Sequence, residues 1–118
     1  MTTNNLIIDL TFKFAVEVIT YTEKLEQLKK FVVAKQLQRS GLSVGLNTSE
    51  SQDAESRADF VHKLKIALKE ANESHFILSL CKKHPSYPDP GDLIDQIEVI
   101  RKVLGKIVFN TKFKKRNN

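Results

Sequence analysis

The chain reads as all-α, an antiparallel up-down-up-down bundle of four helices. Three observations predict it. Apolar residues recur at steps of three and four in four separate segments, the spacing of one helix face. No segment alternates convincingly as a half-buried strand does. The breaks SESQDAES and HPSYPDPG divide the pattern, and connections this short make successive helices antiparallel.

The first predicted helix covers about residues 9–24, with Asp9 or Thr11 as its cap. Its stripe is Phe12, Ala15, Val16, Ile19 and Thr22. The β-branched Val16, Val18, Ile19 and Thr20 leave a strand open, but stripe and length favour the helix. The second covers about 26–49 on the stripe Phe31, Ala34, Leu37, Gly41, Val44, Gly45 and Thr48. Each interior glycine costs about 1 kcal/mol against alanine. Two of them four apart, with Ser40 and Ser43 alongside, predict close approach of a neighbouring helix. A break at Gly41 is the alternative.

The third helix, about 56–83, opens on a capping box of Ser56 and Asp59. It buries Phe60, Leu64, Ala67, Leu68, Ala71, Leu78 and Cys81. Lys82 and Lys83 suit the negative end of its dipole. The fourth, about 90–111, takes Asp89 and Pro90 as N-cap and first residue. Leu93, Ile97, Ile100, Val103, Leu104 and Ile107 line it. Residues 112–118 follow as a mobile basic tail.

A chain of 118 residues is one domain, residues 1–118, and can bury about two-thirds of its unfolded surface. The single cysteine, Cys81, excludes an internal disulfide and suits a reducing compartment. The start, MTTNNLIIDL, lacks the basic n-region of a signal peptide. No stretch reaches the ~20 apolar residues of a membrane span. These features predict a cytoplasmic protein with no membrane partner.

The net charge of +5 is unevenly placed. From Arg101 onward there are seven basic residues and no acid, while the first hundred residues hold 12 basic against 14 acidic, a net of −2. Arg101, Lys102, Lys106, Lys112, Lys114, Lys115 and Arg116 predict a surface for RNA or DNA. Phe113 interrupts them with an aromatic able to stack on a base. Such binding is directed at the backbone, without strong sequence preference. A solvated tail that keeps the protein soluble accounts for the same residues.

A second polar set comprises Arg39, Ser43, Asn47 and Glu50 on the second helix and Lys63, Glu70 and Glu73 on the third. Spacings of three and four put members on shared faces. They predict a hydrogen-bonded network between these helices or across a subunit interface, fixing register more than adding stability. A ligand or nucleic-acid site is the alternative.

No catalytic residue, cofactor or metal site is predicted. A di-iron bundle needs Glu-x-x-His pairs, and Phe76 stands where histidine would follow Glu73. His75, Cys81 and His84 match no zinc spacing. His62 and His75 read as surface or interface imidazoles, His84 as a turn residue. Cys81 reads as a small buried hydrophobe. Gly41 and Gly45 lack the Lys-Ser/Thr of a phosphate loop.

The two middle helices carry a family resemblance. LQRSGLSVGLNTSES and DFVHKLKIALKEANES resemble the bacterial four-helix-bundle family named after an open reading frame in 23S ribosomal RNA intervening sequences. The matching positions are Gln36, Arg39, Ser40, Ser43, Asn47 and Glu50, then Ser56, Asp59, Phe60, Lys63, Ala67, Lys69, Glu70, Ala71 and Glu73. The resemblance runs from about Phe12 to Val108. The chain departs from it at Leu46, where the family usually has alanine, and at Phe76 and Ile77, where it usually has an aromatic pair. The resemblance implies a left-handed antiparallel bundle that assembles into a ring-like homopentamer, with no enzymatic activity. A related accessory protein of diversity-generating retroelements shares the bundle and ring. By that analogy the partners are nucleic acid and a reverse transcriptase.

Overall fold

In a computed structural model the backbone is described over residues 3–117 and the side chains over 6–111. The described residues form four helices: α1 (Thr3–Gln27), α2 (Phe31–Ser51), α3 (Arg57–Lys83) and α4 (Leu93–Asn117). They form a rod measuring 52 × 24 × 22 Å. Each helix packs on the next, and α4 closes the bundle against α1. The four-helix, up-down-up-down expectation holds.

The face of α1 differs from expectation. Its buried stripe is Ile7, Thr11, Phe14, Val18, Tyr21 and Leu25, a seven-residue repeat of inward positions. The predicted stripe lies mostly outside: Phe12 is 71% exposed, Val16 49% and Ile19 43%. Only Thr22 of that set is buried, and Ala15 is half-buried. The helix carries two apolar stripes, and periodicity marks both without saying which one meets the core. It also starts earlier than predicted. Asp9 and Thr11 sit inside it, and the Thr11 hydroxyl donates to the Ile7 carbonyl at 2.8 Å.

The α1–α2 connection explains why α2 begins at Phe31 and not near Glu26. Lys29 adopts φ 62°. The Lys30 amide donates to Leu25 O at 2.8 Å and the Lys29 amide to Glu26 O at 2.9 Å. This pair of bonds is a Schellman turn, here with lysine at the left-handed position that glycine usually fills. Phe31, predicted to be in the core, is exposed.

The helix α2 runs unbroken through both glycines. A Cβ on Gly41 would come within 3.0 Å of a Val18 methyl, and one on Gly45 within 3.5 Å of the Thr11 carbonyl oxygen. The glycines therefore bring α1 and α2 together, as their spacing predicts.

At the start of α3 the Ser56 hydroxyl accepts from the Asp59 amide at 3.0 Å. The Asp59 carboxylate accepts from the Glu55 amide at 3.4 Å, not from Ser56, so the predicted box closes one residue early. The predicted start of α4 at Pro90 is not observed. Asp89 accepts from the Gly91 amide at 2.9 Å, and Gly91 has φ +62°. That left-handed residue keeps the turn out of the helix until Leu93. At the other end α4 continues through Asn117, so residues 112–117, predicted as tail, are helical. Their side chains lie outside the described ones.

The core is formed by α1 residues with Ala34, Leu37 and Val44 of α2, Leu64, Ala67, Ala71, Ile77, Leu78 and Cys81 of α3, and Leu93, Ile97, Ile100, Leu104, Ile107 and Val108 of α4. Phe60, Leu68 and Val103 pack against it half-buried. No helix among the described residues is long and apolar enough to cross a membrane.

Candidate functional site

The predicted polar set divides into separate parts. Arg39 reaches from α2 to α3, where one guanidinium nitrogen donates to Glu70 at 2.8 Å and the other to Glu73. Glu70 is buried and Arg39 is exposed, so the pair anchors an inward carboxylate to an outward cation. The hydrogen bond to Glu73, then the charge of Glu70, holds the guanidinium above its usual pKa. Nearer the α2 C-terminus, Lys63 donates to Glu50 at 3.0 Å, and that bond raises the ammonium pKa. Ser43 and Asn47 do not join either bridge. The Asn47 amide donates to the Ser43 carbonyl of its own helix at 2.9 Å.

Beside the Arg39 bridge, on the side away from Lys63, lies a polar contact that the predicted set lacks. Ser74 donates to Ser40 at 2.9 Å, and both are fully buried. The available signal was Ser40 beside Gly41 on the small-residue stripe. The remaining buried hydroxyls of Thr11, Thr22, Thr48 and Ser51 donate to carbonyls three or four residues back. Among the described residues no buried side-chain polar atom lacks a partner.

The interior offers little for acid–base or nucleophilic chemistry. Tyr21 donates to the Pro88 carbonyl at 2.7 Å, and burial drives its pKa far above the ordinary phenol range. Burial also raises the Cys81 thiol. Both groups stay protonated at neutral pH, and a protonated thiol is a poor nucleophile. Among the described residues no three His, Cys, Asp or Glu side chains are grouped to hold a metal. His62 is exposed, His75 sits 3.3 Å from Glu98, and His84 packs edge-on against Tyr87 in the turn.

Two outer surfaces stand out. Between α1 and α2 an open apolar groove is lined by Ile8, Phe12, Ala15, Leu42, Gly45 and Leu46. Val16 and Ile19 extend its exposed apolar rim along α1. On the opposite side, α4 presents Lys102 and Lys106 to solvent, as their spacing predicts. Arg101 is half-buried and donates to Asn72 of α3 at 2.7 Å. The predicted contacts Lys112, Phe113, Lys114, Lys115 and Arg116 lie outside the described side chains.

The sequence profile described as "23S rRNA-intervening sequence protein" matches residues 3–106. The chain belongs to this family. Among solved structures it is similar to a protein of unknown function from the S23 ribosomal protein family of Bacteroides thetaiotaomicron. The two share 36% identity with a TM-score of 0.85, over 91% of this chain and 98% of that one. No curated protein matches the chain. In this member of the family the departures noted above fall mainly on the surface. Leu46 is 59% exposed on the rim of the apolar groove, and Phe76 is exposed on the outside of α3. Ile77 is buried in the core.

Proposed function

We propose that this protein is a non-enzymatic, self-associating bundle that binds nucleic acid electrostatically as an accessory factor. The observation that carries the reading is the second apolar face on α1 and α2. Phe12, Val16, Ile19 and Leu46 are large, exposed and contiguous with an apolar groove. Contiguous apolar surface of this kind marks interaction sites. The family resemblance favours a second copy as its occupant and a ring of five as the assembly. A ring would multiply the charge of +5 fivefold and present α4 repeatedly to one polyanion.

The test combines light scattering with binding of a labelled structured RNA and a duplex DNA at rising salt. The full chain is expected to run as a multimer and to bind with affinity that falls steeply with salt. The double variant Phe12→Glu/Leu46→Glu is expected to run as a helical monomer with weaker binding. A monomeric wild type would overturn self-association. No binding to either ligand at low salt would overturn the nucleic-acid part and favour a protein-interaction scaffold.

A further inference from the structure

The charges of α3 are sorted by face. Lys63, Glu70 and Glu73 turn toward α2 and are paired with Glu50 and Arg39. Lys65 and Lys69 are exposed and enter no ion pair among the described residues. They continue the stripe of Asn72 by steps of four and three, and Asn72 contacts α4. The charges of α4 are sorted along its length. Asp95 and Glu98 come first, then Arg101, Lys102 and Lys106 with no further acid.

Two contacts fix the antiparallel register of α3 and α4. Asn72 meets Arg101, and three residues on in α3, His75 meets Glu98, three residues back in α4. The same register puts Leu68 level with Gly105, and Lys69 and Lys65 on either side of that level. An open groove lined by Leu68, Asn72, Glu98, Arg101 and Lys102 runs along this seam. Glu98 marks its acidic end, beside His75. Beyond Glu98 the charged residues that line the groove, Arg101 and Lys102, are both basic.

Gly105 adds an independent observation. It lies in the middle of α4, where glycine costs about 1 kcal/mol against alanine. A Cβ there would meet nothing within 4 Å. No packing contact requires the glycine, unlike Gly41. A bare backbone at that level lets a ligand approach the helix closely.

We infer that the α3–α4 seam is a groove for the sugar–phosphate backbone of a nucleic acid, with Arg101 and Lys102 on its α4 side and the exposed Lys65 and Lys69 flanking it on α3, near the level of Gly105. The inference rests on the nucleic-acid reading above and extends it to residues of α3. Cations on both helices, with Lys65 and Lys69 about 6 Å apart along α3, engage neighbouring phosphates without reading bases.

The experiment measures binding of a labelled RNA hairpin and a duplex DNA to three full-length chains across a salt series. These are the wild type, Lys65→Glu/Lys69→Glu, and Lys24→Glu/Lys35→Glu. The last makes the same change of net charge on exposed lysines of α1 and α2. Circular dichroism confirms that each is folded. The seam variant is expected to lose about tenfold or more in affinity, with the salt slope shallower by about 2. The control is expected to change by less than about threefold. The more affected of the two ligands identifies the preferred nucleic acid. Equal losses in both variants would overturn the seam in favour of diffuse attraction. Wild-type binding left intact in the seam variant would overturn the seam alone. Absence of wild-type binding would overturn it together with the underlying function.

Discussion

The α1–α2 and α3–α4 hairpins are built alike and finished differently. Each joins antiparallel helices through a turn that contains a left-handed residue at φ 62°, Lys29 in one and Gly91 in the other. Each has a mid-helix glycine near its seam. In the first hairpin Gly41 lies against Val18, and the outer surface is apolar. In the second a Cβ on Gly105 would meet nothing within 4 Å, and the outer groove is mainly polar, with Asn72, Glu98, Arg101 and Lys102 in its lining. The same helical grammar therefore serves two surfaces. Close packing with an apolar exterior suits another protein copy, whereas an open seam flanked by cations suits a polyanion.

The largest expected effect tests which stripe of α1 is core. Phe14→Ala should cost about 3–5 kcal/mol in chemical denaturation, because the ring is fully buried. Phe12→Ala, two residues away, should change the stability of the monomeric unit by no more than about 0.5 kcal/mol while weakening self-association. Equal costs would erase the distinction between the two stripes.

The two glycines come next. Gly41→Leu should lose about 1–3 kcal/mol, since the side chain enters space held by Val18. Gly105→Ala should gain up to about 1 kcal/mol from helix propensity, with no clash. Loss of stability at Gly105 would mean that the second seam is as tight as the first.

The turns give the smallest effect. Lys29→Gly should stabilise by about 1 kcal/mol, because a side chain in the left-handed region is strained. Gly91→Ala should lose about 1 kcal/mol for the same reason. Thermal midpoints of the two variants should therefore move in opposite directions. Shifts of the same sign would show that the turns are not equivalent.

Much of the fold was legible because helix periodicity and turn residues act locally. Gly41 and Gly45 announced a close helix pair, since an unexplained cost at two positions four apart needs a compensating contact. The bridges Arg39–Glu70–Glu73 and Glu50–Lys63 were within reach, because charged residues at helical spacing on neighbouring helices find one another. Ser43 and Asn47 were less so. A short polar side chain can satisfy itself on its own backbone, and Asn47 does. The Ser40–Ser74 bond was hidden because each hydroxyl alone looks like a tolerated small residue.

The sequence by itself determined four helices, their order, their antiparallel course and the small-residue contact of α2, since these depend on spacing, propensity and short loops. It also determined an excess of positive charge near the C-terminus. Only the tertiary structure decided which stripe of α1 faces the core, because choosing between two apolar faces requires three other helices to pack against. Only it decided that Leu68 shares a groove with Arg101 and Lys102. Residues more than 30 positions apart in sequence become neighbours through the register of packing, which no local pattern records.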